Sequence, residues 1–236
     1  MSLPKRMFDL FWAGLGLLLL WPAFLAIAVW IKLGDGGPVF FRQARVGRGG
    51  RTFLMVKFRT MSVGAERRGP LFTADGDRRV TAVGRWLRKF KLDELPQLLN
   101  VLAGEMSLVG PRPEVPRYAA HFPAEQRRVF DLTPGITHPG IIWNEEDLLA
   151  QAADPERLYI SELIPEKNRR YLAYATQATA WTDLLVILGT LGRLLRGTHH
   201  RGDGGVAPER SGAPPSAPPL PPIALRRAAK RAIGQP

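Results

Sequence analysis

An uncharged apolar run near the N-terminus constrains this chain more than any other feature. It reads LFWAGLGLLLLWPAFLAIAVWI from Leu10 to Ile31, 22 residues without a charged side chain. As a helix it is long enough to cross about 30 Å of hydrocarbon. A cleaved signal peptide would have a shorter apolar region and a small-residue cleavage site, whereas this run continues through Trp30 and Ile31 into Lys32. The run therefore predicts a segment that stays in the membrane.

Basic residues flank this run on both sides. Two of them, Lys5 and Arg6, precede it. Those that follow it are Lys32, Arg42, Arg45, Arg48 and Arg51. The positive-inside rule draws both ends to the cytoplasm, which a helix that crosses once cannot satisfy. Pro22 removes a backbone donor near the middle and favours a bend. We expect residues 1–36 to form a re-entrant helix that breaks at Pro22; an ordinary transmembrane helix with a tolerated proline is the alternative.

The excess positive charge lies in one part of the chain. The net charge is +12, and residues 32–91 hold 15 basic and four acidic side chains, whereas residues 92–195 hold nine basic and 14 acidic ones. The basic part is suited to phosphates, acidic headgroups or nucleic acid. Residues 37–196 are predicted to form the folded domain. Residues 197–236, rich in proline and basic near their end, are predicted to form a disordered tail.

Several classes of protein are excluded by what the sequence lacks. Without cysteine there is no disulfide scaffold, iron-sulfur cluster or thiol nucleophile. The chain also contains no GxGxxG fingerprint, Walker sequence or serine nucleophile elbow. Dehydrogenase, P-loop ATPase and hydrolase functions therefore lose their usual support.

Two β-forming runs follow the apolar run, in VFFRQARVGRGGRTFLMVKFRTM, and the glycines between them predict a hairpin. Side chains alternate along a strand, so Lys57 and Arg59 are expected on one face. Two neighbouring cations repel unless an anion lies between them, which favours a phosphate or diphosphate ligand. A solvated basic face explains the pair equally well.

An adjacent pair of acids, Asp93 and Glu94, follows in LRKFKLDELPQLLN. Pro96 is tolerated in the first turn of a helix, so both acids are expected near a helix start, where the dipole keeps them ionised. Such acids are usually caps, but here four cations lie immediately upstream: Arg85, Arg88, Lys89 and Lys91. A carboxylate can attack a phosphoryl group to give an acyl phosphate when fixed cations and a metal neutralise the charge. Mg²⁺ fits, because one or two carboxylates plus substrate phosphates hold it.

A proline-rich loop and an apolar helix complete the set of motifs. In GEMSLVGPRPEVP, Pro111 and Pro113 lie on either side of Arg112, so they fix the backbone and present its guanidinium rigidly, as bidentate recognition of phosphate requires. The segment WTDLLVILGTLGRLLR has leucines at helical spacing. It predicts an amphipathic helix that packs in the core or lies in the membrane interface.

The order of these motifs resembles the bacterial sugar transferase family of monotopic phosphoglycosyl transferases. The resemblance covers roughly residues 5–196 and rests on KRMFDL, the hairpin, LRKFKLDELPQLLNVLAGEMSLVGPRPEVP, LTPGIT and WTDLLVILGTL. It implies transfer of a phospho-sugar from a UDP-sugar to polyprenyl phosphate, with UMP released, at the cytoplasmic face of the bacterial inner membrane. The implied partners are these two substrates and membrane lipid, without nucleic acid, and a second copy of the chain is considered as a further partner.

The resemblance also implies roles for individual residues. Asp93 is the expected nucleophile, Glu94 its partner, and Asp93 also the carboxylate that holds Mg²⁺. The expected substrate-binding residues are Lys57, Arg59, Arg88, Gln97, Pro111, Arg112 and Pro113. Many members have Ser-Pro at the membrane break, where this chain has Trp21-Pro22. That difference removes a hydroxyl that could satisfy freed backbone groups.

The expected fold is therefore α+β and mainly α, with a re-entrant membrane helix, a small β-hairpin and interfacial amphipathic helices. A membrane-tethered module that binds polyanions without chemistry is the alternative function. A single-step transferase, in which Asp93 only holds the metal, is the alternative mechanism.

Overall fold

The computed structural model of the chain describes residues 1–65, 76–138, 148–149 and 152–196, with the backbone alone for 193–196. The predicted tail at 197–236 lies outside the described residues. Within them, seven α-helices and four short strands confirm a mainly α fold with a small hairpin. The helices are α1 (Leu3–Asp35), α2 (Ala82–Lys89), α3 (Gln97–Ala103), α4 (Pro116–Ala119), α5 (Pro155–Leu158), α6 (Ile164–Ala175) and α7 (Ala180–Arg196). The strands are β1 (Phe40–Val46), β2 (Thr52–Phe58), β3 (Ser107–Val109) and β4 (Gly135–Thr137).

Helix α1 contains the apolar run and continues without interruption through Pro22. The expected break of the helix at this proline is therefore wrong. The proline ring removes one backbone donor, but the residues before and after it remain helical. In the part of the chain that the structure describes, α1 is the one helix long and apolar enough to cross a bilayer. Only 11% of its most apolar stretch is buried within the protein, so it is not an ordinary core helix.

The hairpin forms as the sequence predicts. Strands β1 and β2 pair antiparallel from Phe40 opposite Phe58 to Val46 opposite Thr52, and a 3₁₀ turn at Arg48–Gly50 connects them. One face of β2 buries Phe53 and Met55 against α1 and α3, and Phe58 packs into a second cluster with α1 and α2. The hairpin is therefore fixed against the helices on both of its faces.

A second, parallel pair of strands was not predicted. β3 and β4 pair with Ser107 opposite Gly135 and Val109 opposite Thr137. The chain between them carries the proline-rich loop, the short helix α4 and a 3₁₀ helix at Ala124–Asp131. A third core cluster, around Tyr118, Tyr159 and Ile164, packs this crossover against α6. Strand pairing thus holds both ends of this crossover, and the proline-rich loop lies at its start.

Helix α1 packs along most of its length. Near its start, Ala13 is buried with Leu98 and Val101 of α3, and near its end Ile27 and Ile31 are buried with residues of α2 and β2. Many of its apolar residues are nevertheless exposed: Phe11, Trp12, Leu18, Leu19, Trp21, Leu25, Val29, Trp30 and Leu33. An exposed surface of this composition is suited to lipid rather than to water.

Candidate active site

Asp93 and Glu94 lie in a 3₁₀ turn between α2 and α3, shortly before α3 begins at Gln97, so they lie near a helix start as expected. Lys91 precedes this turn with φ 54°, the one positive φ outside glycine in the described residues. Its left-handed conformation reverses the chain after α2, and the turn then closes with Glu94 N donating to Lys91 O over 3.3 Å. The two acids are therefore held in a sharp corner of the backbone.

The Glu94 carboxylate joins two cations from distant parts of the chain. Lys57 Nζ on β2 donates to Glu94 Oε1 over 2.9 Å, and Arg112 Nη2 donates to the same oxygen over 3.1 Å. Burial acts to raise the pKa of Glu94, but Arg112 and Lys57 outweigh it and hold that pKa well below its usual range. Glu94 is consequently an anion that positions two cations, and it is not an acid that can give up a proton near neutral pH.

Asp93 differs from its neighbour in the contacts of its carboxylate within the part of the chain that the structure describes. Its side chain is 8% exposed, and its Oδ1 atom is buried without a hydrogen bond. Burial raises the pKa of Asp93, against the lowering effect of Lys57. Burial thus outweighs the nearby positive charge at Asp93, so the pKa values of the two adjacent acids shift in opposite directions. A buried carboxylate oxygen without a donor is poised to react or to bind a cation.

Two of the predicted cations, Arg88 and Arg59, are placed differently. Arg88 Nε donates to Thr60 Oγ1 over 2.9 Å, and its charge acts to lower the pKa of Asp93. Arg59 is 6% exposed and forms an ion pair with Asp35 at the end of α1. Strand β2 ends at Phe58, so the alternation that paired Arg59 with Lys57 does not extend to it, and none of its described hydrogen bonds reaches the two acids.

The proline-rich loop presents Arg112 from a backbone fixed at several points. Gly135 N donates to Pro111 O over 2.8 Å, Arg45 Nη1 to Pro113 O over 2.9 Å, and Val46 N to Glu114 O over 2.8 Å. Glu114 itself is buried, where Tyr159 donates to it and Lys167 Nζ lies 3.5 Å away. These contacts hold the backbone of the loop at three points, and Arg112 of this loop contacts Glu94.

Gln97 is buried one turn beyond Asp93. Only 2% of its surface is exposed, and its Nε2 atom has no hydrogen-bond partner. Among the described residues, the turn therefore carries an unpartnered acceptor on Asp93, and the first residue of α3 carries an unpartnered donor on Gln97. A phosphate with a bound cation would satisfy both atoms: a phosphate oxygen would accept from Gln97 Nε2, and the cation would bind Asp93 Oδ1.

Asn100 is a positioning residue that the sequence analysis missed. Its Nδ2 donates to Leu54 O over 2.8 Å, and its Oδ1 accepts from Val56 N over 3.0 Å, so it joins α3 to the strand that carries Lys57. The available signal was a single amide within the apolar run LLNVLA. A buried amide in such a run requires partners, and here they are strand backbone groups.

The donor set is compatible with Mg²⁺ that is held mainly by substrate. No group of three or more histidine and acidic side chains suited to a metal occurs in the described ranges. Glu94 is occupied by Lys57 and Arg112, whereas Asp93 keeps one unpartnered oxygen. A single free carboxylate suits Mg²⁺, which keeps waters and phosphate oxygens as its other ligands.

Known proteins with similar sequences include several undecaprenyl-phosphate sugar phosphotransferases. A UDP-N-acetylgalactosamine-undecaprenyl-phosphate N-acetylgalactosaminephosphotransferase of Aeromonas hydrophila is 40% identical over 193 residues, 82% of this chain and 44% of that protein. A UDP-glucose:undecaprenyl-phosphate glucose-1-phosphate transferase of Xanthomonas campestris pv. campestris is 37% identical over 195 residues, 81% of this chain and 38% of that protein. A protein of the same name from Caulobacter vibrioides is 38% identical over 199 residues, 82% of this chain and 70% of that protein.

The chain thus spans less than half the length of the first two of these relatives. Their names specify a lipid phosphate as a substrate, and together with the exposed apolar residues of α1 this indicates a membrane protein. The family model described as bacterial sugar transferase matches residues 1–197, which include every element of the site. The chain belongs to the bacterial sugar transferase family.

Proposed function

We propose that this protein transfers a phospho-sugar from a UDP-sugar to polyprenyl phosphate and releases UMP. The observation that carries the proposal is the buried, unpartnered Oδ1 of Asp93 beside the cations that Glu94 holds. The named relatives use undecaprenyl phosphate and sugar nucleotides of N-acetylgalactosamine or glucose, which supports the two substrate classes.

The reaction has two steps at the β-phosphorus of the donor. In the first, an Asp93 carboxylate oxygen forms a bond to that phosphorus, the bond to the bridging oxygen breaks, and UMP leaves with the electron pair. In the second, a phosphate oxygen of the acceptor attacks the same phosphorus, and the carboxylate of Asp93 leaves. The product is a polyprenyl diphosphate sugar, and the enzyme returns to its starting state.

The residues around Asp93 have separate tasks in this mechanism. Lys57 and Arg112, fixed by Glu94, face the charge that builds on the phosphoryl oxygens. Gln97 offers its unpartnered Nε2 to one such oxygen. Asp93 would hold Mg²⁺ together with the donor phosphates, and that ion supplies neutralisation of the diphosphate charge. Chelation of divalent cations is therefore expected to stop UMP release, and added Mg²⁺ to restore it.

We also propose that the protein lies at the cytoplasmic face of the membrane, with both ends of α1 on that side. At the start of α1, Lys5 pairs with Asp183 and Asp9 Oδ1 accepts from Leu108 N over 3.1 Å; at its end, Asp35 pairs with Arg59. Both ends thus contact the same domain, which supports a monotopic arrangement. The acceptor phosphate would lie at headgroup level, where this domain can reach it.

The test is single-turnover chemistry on membranes that contain the purified protein. UDP-N-acetylgalactosamine, UDP-glucose and other UDP-sugars are supplied without acceptor, and UMP and the mass of the intact protein are measured. We expect UMP in an amount matching the enzyme, together with a phospho-sugar adduct that maps to Asp93. Asp93→Asn should give neither product, whereas Asp131→Asn, a change at an exposed aspartate, should behave as wild type.

Two results would overturn parts of the proposal. Full turnover with acceptor, but no adduct and no UMP without it, would refute the covalent step and favour the single-step mechanism. Equal activity of wild type and Asp93→Asn with every donor would refute catalysis at this site.

A further inference from the structure

Three aromatic side chains form a continuous exposed surface where α1 meets α2. The Trp30 and Trp86 ring centroids are 5.3 Å apart, and those of Trp86 and Phe90 are 5.0 Å apart. Each ring remains exposed, by 43%, 44% and 38% respectively. Large apolar rings that touch one another and still face outward mark a surface that binds an apolar partner.

The position of this aromatic surface relates it to the headgroup level of a bilayer. Trp30 lies at the end of the apolar run, beside Lys32, where tryptophan is typical of the boundary between membrane and water. Lys89 Nζ lies 5.6 Å from the centre of the Phe90 ring, and Arg85 is exposed on the same helix. The partner is therefore expected to combine an apolar chain with a negative group.

Helix α2, which carries Trp86, is followed in sequence by Phe90 and then by the reactive carboxylate of Asp93. Phe90 is three residues before Asp93, and the Lys91 reversal turns the chain between them. Arg88, on α2, bonds to Thr60 and exerts its charge on Asp93. Helix α2 thus carries both an exposed ring, Trp86, and a cation that acts on Asp93, whereas its other side is buried through Val83 and Leu87.

We propose that Trp30, Trp86 and Phe90 bind the isoprenoid chain of the acceptor and direct its phosphate past Arg88 to Asp93. This inference rests on the proposed function, since it assigns a binding surface to the lipid substrate. An ordinary phospholipid fits less well, because its phosphate is a diester covered by a headgroup. A polyprenyl phosphate ends in an uncovered phosphate that can enter a cationic corner.

The exposed face of α7 provides a contrast. It carries Trp181, Leu185, Leu188 and Leu191, all exposed, and so it also suits a lipid surface. None of its described hydrogen bonds or ion pairs reaches the acids or their cations. Trp181 therefore provides a matched control: an exposed tryptophan on an apolar helix face away from the site.

The experiment compares Trp86→Ala, Trp86→Phe and Trp181→Ala in vesicles of phosphatidylethanolamine and phosphatidylglycerol. Initial rates give KM for undecaprenyl phosphate and, separately, KM for the UDP-sugar, and vesicle flotation gives the bound fraction of protein. Trp86→Ala is expected to raise the acceptor KM about tenfold through lost apolar contact, with the donor KM and the bound fraction unmoved. Trp86→Phe should recover most of the loss, and Trp181→Ala should leave the acceptor KM at the wild-type value.

The contrary outcomes are distinct from one another. An unchanged acceptor KM in Trp86→Ala refutes this inference, and so does a rise that follows loss of protein from the vesicles, because the surface would then be an anchor for bulk lipid. In both cases wild-type transfer persists, so the proposed function stands. If the wild-type protein transfers nothing to any lipid phosphate, the proposed function itself fails.

Discussion

Among the positive charges that lower the pKa of Asp93, the ammonium group of Lys57 has the largest effect. Burial raises the pKa of Asp93, Lys57 opposes it, and the negative charge of Glu94 raises it further. Replacing Lys57 with glutamine removes the opposing charge, so the pKa of Asp93 should rise again. Because attack requires the carboxylate, the acid limb of UMP release should move up by about one pH unit. Single-turnover rates across a pH series measure this shift.

Lys57→Arg is the matched control for that experiment, since it keeps the charge, and its acid limb should lie close to that of wild type. If Lys57→Gln lowers the rate equally at every pH and leaves the limb in place, Lys57 acts on the substrate alone and not on the ionisation of Asp93.

Gln97 allows a second prediction at the same scale. Its Nε2 is buried without a partner, so changing it removes no described hydrogen bond of that atom. We expect Gln97→Ala to lower kcat/KM about tenfold through loss of one donor to a phosphoryl oxygen. Gln97→Glu should lower it more, because it adds a negative charge next to phosphate. If both variants retain wild-type kcat/KM and melt at the wild-type temperature, Gln97 does not contact the substrate.

At this scale the sequence predicted residue types better than their partners. The Asp-Glu pair, Lys57 and Arg112 come together as expected, because a hairpin and a rigid loop set their direction. The partner of Arg59 was not predictable, since it depends on where α1 ends in space and thus on Asp35 lying within reach.

Among the elements, the parallel pair β3–β4 determines where Arg112 lies. Gly110 and Gly135 allow the two backbones to approach, and a Cβ on Gly135 would lie 2.0 Å from Gly110 N. Gly135→Ala must therefore push the proline-rich loop away from β4. We expect a loss of about 2 kcal/mol in the free energy of unfolding, with weakened donor binding. Denaturant unfolding in detergent and the donor KM measure the two effects.

Gly14→Ala is the control for this prediction, since a Cβ there meets nothing within 4 Å. It should retain wild-type stability and donor KM. A Gly135→Ala protein with both values unchanged would contradict the close packing of the two strands.

Whether these strands could be predicted depends on their length and on how far apart the paired strands lie in the sequence. The hairpin was predictable because its strands, of seven residues each, are adjacent and joined by glycines. The β3–β4 pair was not, because each strand has three residues and its partner lies beyond the whole crossover. A strand of three residues is too short to show the alternation of apolar and polar side chains by which strands are recognised.

At the scale of the whole molecule, α1 connects the chemistry to the membrane. The helix has 33 residues, about 50 Å at 1.5 Å per residue, which exceeds the hydrocarbon thickness of about 30 Å. If it crossed the bilayer once, Asp183 and Arg59, which pair with its two ends, would lie on opposite sides. One folded domain holds both residues, so a single crossing would require part of that domain to enter the bilayer. The flanking basic residues favour the proposed monotopic arrangement because of their charge, although the helix does not break at Pro22.

This arrangement predicts the labelling pattern of two single-cysteine variants, Ser2→Cys before α1 and Arg42→Cys after it. The natural chain has no cysteine, so the background is zero. In intact cells, a membrane-impermeant maleimide supplied to the periplasm should label neither variant, because the proposed arrangement places both ends on the cytoplasmic side. After permeabilisation it should label both, which controls for accessibility. Labelling of Ser2→Cys alone in intact cells would establish a crossing helix, and the ion pair between Lys5 and Asp183 could then not form in the membrane-bound protein.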